Sequence, residues 1–126
     1  MSTDTRTEVH EAGRIGALWI GLLLAPTAFL LNLEFAYLVA GWGCKQASMP
    51  PAALHLVHAV CLLLVCIGGL IAWRQWRAVG PRWPGEAGGP EGRTRFMAGL
   101  GLATSAFFAL AIVAQWIPSI SLHTCR

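Results

Sequence analysis

Few residues in this chain could do chemistry, and most of them sit inside apolar runs. Asn32, Glu34 and Tyr37 lie near the end of a run that begins at Ile15. His55 and His58 are three apart, which puts both on one face of a helix that Cys61 continues, while Cys66 lies on another face. Gln115 comes late in a third run, and Cys44, His123 and Cys125 lie beyond the ends of runs. A carboxylate and a histidine can handle protons or bind a quinone. Histidines with thiols can hold zinc or copper. In a membrane, an ionisable group is costly and demands a partner.

The elements that must position these residues follow from composition. The chain has 126 residues, 56 % hydrophobic and only 12 % charged. Soluble domains carry about 25 % charged residues. Three apolar runs, 15–39, 52–73 and 96–117, each meet the roughly 20 residues needed to cross a bilayer. The expected fold is all-α, a single membrane domain of three transmembrane helices. A polar tail over 1–14 precedes it, a Gly/Pro/Arg-rich loop spans 74–95, and a short tail covers 118–126. The first run is too long for a signal-peptide core and lacks a cleavage site, so it is read as a retained helix.

The net charge of +3 is a topology signal, with no need for nucleic acid. Arg6 and Arg14 precede the first run. Arg74, Arg77, Arg82, Arg93 and Arg95 crowd one connection, leaving Lys45 and Arg126 on the other side. Lys and Arg accumulate in cytoplasmic loops. The N-terminus and residues 74–95 are therefore expected inside, and residues 41–51 and the C-terminus outside. The expected location is a bacterial inner membrane.

Small residues mark close helix contacts. Ala17, Gly21 and Ala25 form one ridge, and Gly101, Ser105 and Ala109 a second, taken as a surface for a partner. Pro26 is expected to kink the first helix, with Thr27 supplying a replacement hydrogen bond, and Pro118 to end the third.

A rise of about 1.5 Å per residue puts Glu34, His58 and Gln115 in one layer of the outer half. They are expected to be mutual hydrogen-bond partners fixing helix packing, the sharper alternative being a quinone or proton site. Asn32 is about 200° around the helix from Glu34, so the two cannot face the same neighbour, and Asn32 is assigned to a partner contact. Cys44 and Cys125 share the oxidising side and are expected to form a disulfide, a thiol relay or copper site being the alternative. Cys61 and Cys66 are expected as free thiols. Two histidines three apart on one helix cannot ligate opposite faces of one haem, and no Cys-x-x-Cys-His is present, so no metal is assigned.

The order of motifs carries a resemblance. Asn32-Leu33-x-Phe35-x-Tyr37 is followed by a Trp/Cys loop, Leu54-His55-Leu56-Val57 and a basic loop. Then come Arg95-Phe96-Met97-Ala98-Gly99-Leu100-Gly101, Ser105-Ala106-Phe107-Phe108, Gln115-Trp116-Ile117-Pro118 and Cys125. Over residues 15–126 this resembles the small three-helix membrane proteins encoded beside haem-copper cytochrome c oxidase genes in bacteria. The resemblance implies a non-catalytic accessory subunit or assembly factor of a respiratory complex, with larger integral membrane subunits as partners. It brings no active-site residues, and the matched cysteines, His55 and Gln115 take structural roles. No cofactor of its own is expected, with bound lipid ahead of quinone. The competing classes are a quinone- or haem-handling protein built on Glu34 and His58, and a homo-oligomeric channel lined by Glu34 or Asn32. The apolar inner halves of the helices weigh against a channel.

Overall fold

A computed structural model describes residues 2–46, 50, 52–80 and 89–121. The fold is three helices, α1 (Ser2–Gln46), α2 (Ala52–Val79) and α3 (Pro90–Ser121), and each packs on the other two. All three are long and apolar enough to cross a membrane. The chain is a multi-pass membrane protein.

The helices run past the ends of the apolar runs. Residues 2–14, expected as a polar tail, continue α1, and 74–79 and 90–95, expected as loop, belong to α2 and α3. Hydropathy marks where lipid ends, whereas a helix ends where its backbone is stopped. At the end of α2 the stop is Gly80, whose φ of 94° suits a residue without Cβ. At the start of α3 it is Pro90, in a first-turn position that needs no N–H. Pro118 lies inside α3, which continues to Ser121 rather than ending there. Proline removes one hydrogen bond near a terminus where the ladder is already running out. Within α1, Pro26 is accommodated, and the Thr27 hydroxyl donates to the Leu23 carbonyl at 2.7 Å.

Sequence spacing explains the packing. The buried positions of α1 are Leu18, Gly21, Ala25, Ala28 and Asn32. Those of α2 are Leu54, His58, Cys61, Val65, Gly68 and Ala72, and α3 follows with Thr94, Ala98, Gly101, Ser105 and Ile112. Steps of three and four alternate along each helix, the seam of a left-handed bundle. Large apolar side chains such as Leu63, Leu70 and Leu110 point outward, as they must where acyl chains are the solvent.

The seam is tight around Gly21, Ala72 and Gly101. A Cβ at position 101 would stand 3.1 Å from both the Ala72 methyl and the Gly21 carbonyl oxygen. The second small-residue ridge, assigned to a partner, is therefore used within the chain. Gly101 meets α1 and α2, Ser105 packs against Gly69, and Ala109 lies against the core. That core is Ala25, Ala28, Cys61, Val65 and Ile112, flanked by Phe29 and Phe108 with ring centroids 5.1 Å apart. The free thiols separate as expected, Cys61 buried and Cys66 exposed.

At the far end, Arg95 Nη2 donates to the Val79 carbonyl at 3.1 Å. This satisfies a terminal acceptor of α2 from the first turns of α3.

Two substitutions test the seam. Gly101→Leu overpacks the crossing and should cost about 1–3 kcal/mol of bundle stability. Ser105 is buried, and its Oγ has no hydrogen-bond partner. Ser105→Ala should therefore be neutral, or stabilising by up to about 1 kcal/mol. Reversible unfolding in bicelles measures both, and a destabilised Ser105→Ala would contradict the unpaired hydroxyl.

Candidate functional site

The polar layer forms where the seam leaves the apolar core, one turn beyond Ala28, Cys61 and Ile112. Asn32 continues the α1 series at the next seam position. His58 is three residues before Cys61, and Gln115 and Ser119 are three and seven after Ile112. Heptad register aims all four side chains at the bundle axis.

Their hydrogen bonds form a chain. Asn32 is fully buried and His58 is 2 % exposed. His58 Nδ1 lies 2.8 Å from Asn32 Oδ1, and Asn32 Nδ2 donates to Gln115 Oε1 at 2.8 Å. One carboxamide thus links all three helices. Ser119 Oγ lies 3.5 Å from His58 Nε2 and donates to the Gln115 carbonyl at 3.3 Å. Beside this chain, the Trp116 indole N–H donates to His55 Nδ1 at 2.8 Å. The Trp116 ring also stacks on His58, with centroids 5.9 Å apart and planes 29° apart.

These contacts decide the ring protonation. Asn32 Oδ1 can only accept, so His58 carries its proton on Nδ1. Indole N–H can only donate, so His55 Nδ1 is bare and its proton sits on Nε2. The two Nδ1 atoms thus play opposite roles, a donor on His58 and an acceptor on His55, each set by a neighbour on another helix.

The layer differs from the expected one in its central member. His58 and Gln115 are brought together, but Asn32 joins them, and Glu34 does not. Glu34 is exposed on the outer surface of α1. Asn32 takes the interior place expected for Glu34, and Glu34 lies on the exterior. Depth could not choose between neighbours two residues apart, whereas register could. The steps Leu18, Gly21, Ala25 and Ala28 point to position 32 and exclude position 34. His55 and Trp116 were seen singly in the sequence, and nothing in their spacing marks them as a pair.

A quinone or proton site built on Glu34 and His58 lacks its geometry, because these two residues face different surroundings. Among the described residues, no three of His, Cys, Asp and Glu converge as metal ligands. The side chain of Cys44, together with His123 and Cys125, lies outside the described residues, and so does the expected disulfide.

The arrangement defines a class, a polytopic membrane protein whose interior polar groups pair with one another across three helices. Compared with known proteins, the chain matches no family model, and no curated protein and no solved structure is found similar to it.

The Asn32 link can be weighed by substitution. Asn32→Leu strands His58 and Gln115 and should cost about 1–2 kcal/mol, the upper range for interhelical hydrogen bonds in membranes. Glu34→Gln should leave bundle stability within about 0.5 kcal/mol, as for a surface position. Equal losses would remove Asn32 from the centre of the layer. The tautomers are read directly from nitrogen chemical shifts of labelled histidines. His58 should show a protonated Nδ1 and His55 a protonated Nε2, and one shared pattern would contradict the geometry.

Proposed function

We propose that this chain is a non-catalytic accessory or assembly subunit of a larger energy-transducing membrane complex. Its resemblance to proteins encoded beside bacterial haem-copper oxidase genes makes such an oxidase the first candidate host. The membrane is then the bacterial inner membrane, with Arg14, Arg74, Arg77, Arg93 and Arg95 on the cytoplasmic side by their bias.

Glu34 carries the reading. It is exposed amid the outward-facing Leu30, Leu31, Phe35 and Leu38. It lies about 5 Å inside the level of Tyr37 along the helix. A carboxylate presented to acyl chains is costly, and cover by a protein that offers a donor at the same depth removes that cost. The surface is thus suited to lateral docking against a transmembrane helix of a larger subunit. The interior supports the same reading from the other side. Asn32, His58 and Gln115 pair among themselves and leave little polar capacity for a substrate. Catalysis is accordingly assigned to the host complex, and the chain itself holds no cofactor of its own in this reading.

The test is purification of the full chain from its native membrane in mild detergent, with a visible spectrum of what accompanies it. The wild type should bring a complex with a-type haem absorbance. Glu34→Gln should lose at least about 90 % of it, a loss of more than 1.4 kcal/mol in docking, while keeping its helical content. A stable homo-oligomer free of haem in the wild type would overturn the proposal in favour of a channel or carrier.

A further inference from the structure

A second polar place lies at the opposite end of the bundle, away from Glu34 and the Asn32 layer. A cleft of about 220 Å³ opens among all three helices, lined by Arg14 of α1, Gln75, Ala78 and Val79 of α2, and Glu91 of α3. Arg14 and Glu91 are both exposed, so a cation and an anion border one small space. Behind it, Arg95 grips the carbonyl of the lining residue Val79.

Depth identifies what surrounds this cleft. Trp19, Trp73 and Phe96 are outward-facing aromatics that mark the edge of the apolar band on the three helices. Trp19 and Tyr37 are then about 27 Å apart along α1, close to the thickness of a hydrocarbon core. Arg14 and Glu91 each lie five residues beyond their aromatic, and Val79 six beyond Trp73. That is about 8–9 Å past the edge, in the headgroup layer.

We propose that the cleft is a binding site for a zwitterionic phospholipid headgroup of the phosphoethanolamine type. The Arg14 guanidinium and the Gln75 amide bind the phosphodiester. The Glu91 carboxylate binds the primary ammonium. Charge complementarity selects this occupant. Exposed Arg74, Arg77 and Arg93 nearby would attract any anionic lipid to the surface. Inside the cleft, however, Glu91 repels a headgroup that carries only negative charge. A quaternary choline ammonium has no N–H to donate to Glu91. A phosphate and a primary ammonium a few bonds apart answer both walls.

The assay is native mass spectrometry of the full chain in mild detergent, offered equal amounts of phosphatidylethanolamine, phosphatidylglycerol and phosphatidylcholine. Phosphatidylethanolamine should be retained over the other two by roughly tenfold, as one charge-assisted hydrogen bond allows. Arg14→Gln should lower that retention by a similar factor, whereas Arg77→Gln, outside the cleft, should not. Glu91→Gln should abolish the preference over phosphatidylglycerol. These surface changes should leave the circular dichroism unaltered, which separates loss of the site from loss of the fold. Equal retention of the three lipids would overturn the proposal, as would a preference for phosphatidylglycerol, which the basic patch alone would produce. Displacement by soluble glycerophosphoethanolamine at equal concentration would overturn it in favour of a free small molecule. The proposal stands apart from the accessory-subunit reading, since Glu34, which carries that reading, takes no part and no host complex enters the assay.

Discussion

The carboxamide of Asn32 hydrogen-bonds to both other helices. It accepts from His58 and donates to Gln115, each at 2.8 Å. In hydrocarbon, helix association gains little from the hydrophobic effect, because lipid is as apolar as leucine. Close packing of small residues brings the helices together, but a seam of Gly, Ala and Ser can slide. A buried polar residue fixes register, as it does in coiled coils. With Asn32 bound to two partners, Gly21, Ala72 and Gly101 meet at one crossing, and Phe29 meets Phe108. The rest of the bundle follows from that alignment.

The two ends of the bundle use polar groups differently. At the Asn32 end they pair with one another, and the surrounding surface carries Glu34 amid outward-facing apolar side chains. At the Arg14 end they are exposed and open to the headgroup layer. The described interior polar groups hold the helices together.

Three helices and their apolar spans were legible from run length alone, because the bilayer fixes how long such a run must be. The helix ends were not. Residues 2–14 and 74–79 are polar enough to read as tail and loop, yet an established helix elongates easily once nucleated. Within the layer, His58 and Gln115 are bridged by Asn32 rather than bonded to each other. Only register distinguishes Asn32 from Glu34, and the relevant steps run through Gly21 and Ala25, whose small side chains also read as a ridge for close helix contact. Gly101, Ser105 and Ala109 carried the same ambiguity. Small side chains signal close approach, but not whether the approaching helix belongs to the same chain. The pairing of His55 with Trp116 spans 61 residues of sequence and left no local trace.

The bond from Arg95 to the Val79 carbonyl has a consequence for the covalent connection between α2 and α3. The two helix ends are already joined by a polar contact and by the seam that follows it. The connecting residues need not hold the ends in place, and lengthening a connection whose ends are fixed costs little entropy. A cut or an extension between α2 and α3 therefore costs little. Two separately made fragments, α1 with α2 and α3 alone, keep the complementary surfaces needed to reassemble in a membrane.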